Sequence, residues 1–178
     1  MIDVEIEDPA WTAVLGDAEE LARIAGAATL ELVLGAAVSD AEGPRALLVA
    51  DASVEARDGV TVLLTDNASV RDLNARFRRQ DKPTNVLSFP APANPEHHLG
   101  DVALAYGVCA GEAHEQGKPL AHHLQHLVAH GVLHLLGYDH MNDAEADEME
   151  GLERVVLAGL GIPDPYLAGE GDHERPRP

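Results

Sequence analysis

The chain has 178 residues, of which 46% are hydrophobic, 31 are acidic and 12 are basic, giving a formal net charge of −19. This length favours one domain, and the hydrophobic content excludes a wholly disordered chain. The net negative charge repels polyanions on average, which argues against a protein that coats nucleic acid without specificity. The single cysteine, Cys109, excludes an intramolecular disulfide and a zinc site built from cysteines.

The N-terminal sequence, MIDVEIEDPA, has no basic segment of the kind that opens a secretory signal. No stretch approaches the ~18 uninterrupted apolar residues of a membrane span. We therefore expect a cytoplasmic protein with no membrane-spanning segment.

Hydrophobic periodicity predicts the secondary structure in chain order. Alternating apolar and polar residues predict strands over 2–6 and 101–106. Two further strands are predicted over 46–54 and 60–65, with a hairpin turn at 58–59 between them. A short apolar run predicts an edge strand over 86–89. Apolar residues at helical spacing predict helices over 17–35 and 67–77. A further helix follows the 101–106 strand and runs to about residue 116. The last two predicted helices span 119–137 and 143–160, and Asp143 caps the second of them. Strands cluster early and helices late, which predicts the α+β class.

The C-terminal segment is rich in proline, which predicts a loose chain from Gly161 onward. We place a single domain at 1–166 and a flexible tail at 167–178. A loop is expected at 91–99.

Histidine is concentrated in one region: seven of the ten histidines lie between residues 114 and 140. Within it, His130 and His134 are four apart on a predicted helix, so their rings project from one face about 6 Å apart. Gly137 ends that helix, and a left-handed residue there reverses the chain and returns His140 to the same ion. Three histidine nitrogens with an open fourth position are typical of a catalytic zinc site. Nickel or another divalent ion also suits three imidazoles.

The spacing H-x-x-x-H-x-x-G-x-x-H is that of zincin-type proteases of the metzincin group. In those enzymes a glutamate follows the first histidine and acts as the general base. Gly131 stands at that position and cannot accept a proton. The pattern therefore predicts a zincin-like ligand set without the peptidase base.

Three segments carry a resemblance to the YbeY family of metal-dependent bacterial endoribonucleases. They are HGVLHLLGYDH at 130–140, NARFRRQDKPTNVLSFP at 74–90 and LGDV at 99–102. The resemblance covers about residues 60–166, in the family's order and spacing. It implies a mixed four-stranded sheet surrounded by about five helices, with His130, His134 and His140 as ligands of one Zn²⁺. It also implies that Arg78 is the arginine needed for RNA cleavage.

The same resemblance implies hydrolysis of single-stranded RNA, maturation of the 16S rRNA 3′ end and quality control of ribosomes. Arg78 is then expected to hold the scissile phosphate. The neighbouring cations Arg71, Arg76, Arg79 and Lys82 either follow an RNA backbone or form an ordinary solvated helix face. The small ribosomal subunit or a ribosomal protein is the expected partner beyond RNA.

Several residues near these motifs allow two interpretations. Asp139 either orients a ligand or caps the turn. His126 either supports a ligand or shuttles protons, or is an ordinary helix histidine, which is favoured. His123 is expected on the surface. Phe89 and Tyr138 either stack on bases or belong to the core, with the core favoured. The acidic stretch from 139 to 153 is expected to be the solvent-exposed side of the last helix, or a contact for a basic ribosomal protein.

Two other functional classes compete with the endoribonuclease. A zinc hydrolase or protease is opposed by Gly131 and by the cluster of basic residues. A non-catalytic ribosome-assembly factor with a structural zinc predicts that metal removal unfolds the protein, and the open coordination position argues against it.

Overall fold

The computed structural model describes residues 1–37 and 59–167. In this part of the chain, four strands and six helices follow one another, confirming the α+β class. The strands are β1 (Ile2–Ile6), β2 (Gly59–Thr65), β3 (Val86–Pro90) and β4 (His98–Ala105). The helices are α1 (Ala10–Val14), α2 (Ala18–Ala37), α3 (Asn67–Arg78), α4 (Tyr106–Glu115), α5 (Leu120–Leu135) and α6 (Asp143–Gly159). The predicted strand at 46–54 and the first residue of the predicted hairpin turn at 58–59 lie outside the described residues, while Gly59 begins β2.

The sheet is mixed, with strand order β1-β2-β4-β3. β1 and β4 both run parallel to β2, and β3 runs antiparallel to β4 with Ser88 opposite Val102. β3 is thus an edge strand, as its short apolar run predicted. The strand predicted at 101–106 begins earlier, at His98, so the expected loop at 91–99 loses its last two residues to β4.

The alternation of strand side chains divides the core between the two faces of the sheet. Val62, Leu64 and Leu104 face the larger core, which is shared with α2 and α5. Leu87 and Ala105 face a smaller core formed with Val70 of α3 and its neighbours. α5 therefore lies on one face of the sheet and α3 on the other, with the edge strand β3 between them.

Side-chain caps fix where two of the helices begin. The Asp66 carboxylate accepts a hydrogen bond from Ser69 N at 2.7 Å and starts α3; the sequence allows either Asp66 or Asn67 as this cap. The cap of α6 is Asn142, whose side chain accepts from Glu145 N at 3.0 Å. The prediction of Asp143 as this cap was wrong by one residue, because asparagine fills the same capping role.

The segment after α6 is more ordered than its prolines suggested. Ile162 is buried, and Tyr166 hydrogen-bonds to a carboxylate inside the protein. The prediction of a loose chain from Gly161 is therefore wrong for these residues, because an apolar and an aromatic side chain anchor them. Residues 168–178, most of the predicted tail, lie outside the described residues.

Candidate metal centre

The end of α5 brings three histidines together. Gly137 adopts a left-handed conformation (φ 92°), with Gly137 N donating to His134 O and Tyr138 N to Leu133 O. This pair of bonds is the Schellman ending of a helix, and it turns the chain back toward α5. One nitrogen from each of His130, His134 and His140 consequently lies within 4.8 Å of the others. The predicted grouping of the three rings is confirmed.

The nitrogen atoms of this cluster are arranged as a cation requires. His130 Nε2 and His134 Nε2 are 3.1 Å apart, and His140 Nε2 is buried with no hydrogen-bond partner in the structure. Two nitrogens at 2.0–2.1 Å from one tetrahedral ion lie about 3.3 Å apart. Lone pairs this close repel one another unless a proton or a cation lies between them. The donor set therefore fits a single divalent metal ion.

His134 is held in the neutral form that a metal requires. Burial, which is the largest cause, and the neighbouring His130 and His140 together lower the pKa of His134 to about 4. A neutral ring keeps a lone pair on one nitrogen at physiological pH. No competing proton therefore occupies this ligand near neutral pH.

A buried glutamate on α6 hydrogen-bonds to one of the three clustered histidines. Glu153 is 1% exposed, and its Oε1 accepts from His130 Nδ1 at 2.6 Å. Its Oε2 accepts from His126 Nε2 at 2.7 Å and from the Tyr166 hydroxyl. Because a carboxylate only accepts hydrogen bonds, His130 must carry its proton on Nδ1. Its Nε2 then has the free lone pair that faces His134.

The charge of this glutamate depends on its hydrogen bonds. Burial raises the pKa of Glu153, but hydrogen bonds from His126 and His130 outweigh burial and leave the pKa below its ordinary value. Burial also raises the pKa of Tyr166, and the adjacent Glu153 raises it further, so the hydroxyl keeps its proton. The site therefore contains one fixed negative charge directly behind a candidate metal ligand.

Sequence reasoning missed Glu153, because it was grouped with the solvent-exposed acids of α6. A signal was available: Met149, Glu153 and Leu157 are four residues apart, which places the acid on the buried face of the helix. For His126 the structure favours the supporting role over the ordinary helix histidine, because Glu153 links it to candidate ligand His130. Both contacts have one physical cause, the packing of α6 against α5.

A second polar cluster surrounds His123, which lies one helical turn before His126 on α5. His123 is buried and its Nε2 lies 2.7 Å from Glu112 Oε2, so the prediction of a surface histidine was wrong. Asn85 donates to the same carboxylate at 3.1 Å. Burial lowers the pKa of His123, and the hydrogen bond to Glu112 opposes this shift. This cluster ties α4, α5 and the start of β3 together.

Arg78 is connected to α5 through Ser88. Arg78 Nη2 donates to Ser88 O at 3.0 Å, and the Ser88 hydroxyl donates to Gly131 O at 3.0 Å. Two hydrogen bonds through Ser88 thus connect Arg78 to the carbonyl of Gly131, the residue that follows candidate ligand His130. Arg78 is half-buried, and its other guanidinium N–H groups are not engaged by an acidic partner in the described part of the chain.

The glycine at position 131 faces the sheet. A Cβ atom there would lie 2.6 Å from Val102 Cγ1 and 3.2 Å from Ser88 Oγ. There is no room for a methyl group, and still less for a glutamate. The missing peptidase base thus reflects the close packing of α5 on β4.

The remaining alternatives are resolved by individual contacts. Asp139 Oδ1 accepts from His140 N at 2.8 Å, which makes it a cap of the turn. Tyr138 is buried in the core, whereas Phe89 is partly exposed beside Phe77. Cys109 is buried, as expected for a small core residue.

The fold and the histidine cluster define an α+β protein with a candidate metal centre at the end of its central helix. The sequence model described as "Endoribonuclease YbeY" matches residues 45–161 of the chain. A relative named "Endoribonuclease YbeY" from Paramagnetospirillum magneticum is 47% identical over 93% of this chain and 94% of its own length. One of the same name from a Bradyrhizobium species is 53% identical over 71% of this chain and 81% of its own length. The chain therefore belongs to the YbeY family.

A solved structure supports the fold. A Thermotoga maritima protein determined in solution superposes with a TM-score of 0.51 at 22% identity, covering 97% of this chain and 100% of the other. Among the helices of the described residues, none combines the length and apolar character needed to cross a membrane.

Proposed function

We propose that this chain is a zinc-dependent endoribonuclease that cuts single-stranded RNA, with His130, His134 and His140 as the zinc ligands. The observation that carries the proposal is the meeting of three histidine nitrogens within 4.8 Å, on and just after a helix to which Ser88 connects Arg78. Relatives at about half identity that bear the name endoribonuclease support the reaction class. Maturation of the 16S rRNA 3′ end and ribosome quality control in the cytoplasm are the proposed roles, with the small ribosomal subunit as partner.

The ligand set supports a catalytic rather than a structural ion. Zinc held by three neutral imidazoles keeps a position for water and supplies the acidity that activates it near neutral pH. The protein's own contribution is to keep these rings neutral and oriented. The low pKa of His134 and the carboxylate of Glu153 behind His130 serve this purpose.

Arg78 is the proposed phosphate-binding residue. Its bond to Ser88 O fixes the guanidinium at the edge of β3 and leaves further N–H groups for the oxygens of a phosphodiester. Burial lowers the pKa of Arg78, yet a guanidinium stays protonated at neutral pH. A fixed positive charge there offsets the negative charge that develops on the phosphate during cleavage.

The test compares cleavage of a partly single-stranded rRNA 3′ fragment by the wild type, His134→Ala, Arg78→Ala and Arg78→Lys. Arg76→Ala is the matched control, because Arg76 is exposed and pairs with Asp72 on the same helix. We expect cutting in unpaired regions by the wild type and Arg76→Ala, loss in His134→Ala, and a loss of about 10²–10³-fold in Arg78→Ala. Arg78→Lys keeps the charge but loses the bidentate geometry, so partial activity is expected.

Metal dependence is tested with the same proteins. Cleavage should stop in a chelator and return on addition of zinc, while the chelated protein stays folded. Equal cleavage by all variants would identify a contaminating nuclease and refute the proposal. Unfolding of the chelated protein, with no cleavage by the zinc-loaded wild type, would instead support an assembly factor with a structural zinc.

A further inference from the structure

An exposed aromatic side chain stands at the end of α3. Phe77 is 67% exposed, and its ring makes an edge-to-face contact with Phe89, with centroids 5.2 Å apart. A single exposed apolar residue is ordinary on a protein surface. Here, however, both phenylalanines of the chain form one partly exposed pair directly beside Arg78.

The basic residues nearest Phe77 in the sequence differ in whether they have acidic partners. Of the basic cluster at 71–82, Arg71 is paired with Asp81 and Arg76 with Asp72. The others have no acidic partner in the described part of the chain: Arg78, Arg79 and Lys82. A ring beside unpaired cations, on a chain of net charge −19, is a combination typical of single-stranded nucleic acid binding. The surface formed by Phe77, Phe89, Arg78, Arg79 and Lys82 is called the aromatic edge below.

The aromatic edge and the candidate metal centre lie on two sides of the same strand. Backbone bonds join Asn85 with Ala105 and Ala91 with Leu99, so alternate residues of this segment bond to β4. Ser88 falls between them, and its carbonyl points to the open edge of the sheet, where Arg78 binds it. The Ser88 side chain faces α5, while the Phe89 side chain faces α3. Arg78 therefore lies at the open edge of the strand, which bonds to α5 on one face and carries Phe89 on the other.

We propose that Phe77 is the stacking platform for an unpaired RNA base that flanks the phosphate held by Arg78. This inference rests on the proposed function and extends it to the choice of substrate. A base within a duplex has both faces covered by its neighbours, whereas an unpaired base offers a free face to an aromatic ring. The aromatic edge then accounts for selection of single strands: the phosphate binds to Arg78 and the adjacent base to Phe77.

The test measures binding of single-stranded RNA carrying one 2-aminopurine, whose fluorescence is quenched by stacking. Phe77→Leu removes the ring and Phe77→Trp retains one. Val155→Ala, at another exposed apolar position on α6, is the matched control. A second RNA with an abasic site at the same position removes the base alone. Binding is measured in a His134→Ala background that prevents cleavage, and kcat and KM are measured in the otherwise wild-type protein.

We expect Phe77→Leu to weaken binding about tenfold, within the range for one stacked base, and to abolish the quenching. Phe77→Trp should retain both signals. On the abasic RNA, wild type and Phe77→Leu should bind equally, and in cleavage the loss should appear in KM. Unfolding measurements on Phe77→Leu should match the wild type, because the ring is exposed.

Two results would overturn the inference. Unchanged affinity and quenching in Phe77→Leu would show that the ring does not contact the base, and equal losses on intact and abasic RNA would show that stacking is not involved. If the wild type cuts RNA normally in either case, only this inference fails. If the wild type neither binds nor cuts RNA, the proposed function fails with it.

Discussion

Replacing Glu153 by glutamine tests whether the buried carboxylate controls the metal centre. The substitution preserves the size of the side chain and leaves one oxygen that can still accept from His130 Nδ1. It removes the negative charge and places an NH2 group opposite His126 Nε2 and the Tyr166 hydroxyl, both of which now donate to Glu153. His126 can change tautomer to accept from that group, so the variant is expected to fold.

The magnitude follows from the kind of bond that is lost. A hydrogen bond to a charged group contributes about 1.5–3 kcal/mol, against about 0.5–1.5 kcal/mol between neutral groups. The 2.6 Å contact with His130 thus weakens by about 1–2 kcal/mol. Loss of such support behind a metal-binding histidine typically lowers metal affinity about 10–100-fold. Glu153→Ala also leaves three buried donors without an acceptor, at about 1–3 kcal/mol each, and is expected to unfold the protein.

The assay is competition for zinc between the protein and a chromophoric chelator at neutral pH. Glu148→Gln is the matched control, because Glu148 is exposed on the same helix and the substitution makes the same change of charge. Thermal unfolding in excess chelator separates loss of metal affinity from loss of the fold. A folded Glu153→Gln protein with the zinc affinity of Glu148→Gln would refute the assignment of Glu153 as a support of the metal centre.

Two further predictions concern packing and pH. Gly131→Ala should destabilise the protein by about 1–3 kcal/mol in urea unfolding, because the new methyl group meets Val102 Cγ1 at 2.6 Å. Gly151→Ala, a helical glycine with open space around it, should instead stabilise, and equal effects of the two changes would refute the packing argument. Burial lowers the pKa of His123 below 6.5, so the unfolded chain takes up a proton that the folded protein resists. The unfolding free energy measured in chelator should therefore fall as pH drops below about 6.5, with a shallower slope in His123→Gln; identical slopes would exclude His123 as a cause.

The arrangement of the three histidines could be predicted because it depends on neighbouring residues in the chain. His130 and His134 are related by one helical turn, and Gly137 provides the reversal that returns His140. Helical spacing and the conformational preference of glycine are local properties, which a single sequence expresses directly. The helix caps follow the same rule, with an error of one residue at Asn142.

The surroundings of the histidines could not be predicted in this way. Glu153 lies 23 residues beyond His130, and only the packing of α6 against α5 brings the two together. The connection from Arg78 through Ser88 to α5 depends on the register and edge position of β3, which periodicity alone does not determine. Composition was also misleading at Tyr166, which lies in a proline-rich segment but hydrogen-bonds to the buried Glu153.

The contact at Gly131 also bears on how this enzyme family relates to peptidases with the same histidine spacing. Introducing the glutamate of a peptidase would push Val102 away from the helix, so one substitution cannot convert one chemistry into the other. The separation between helix and sheet would have to increase first, through smaller residues on β4. The distance between these two elements in this chain therefore opposes any side chain at position 131.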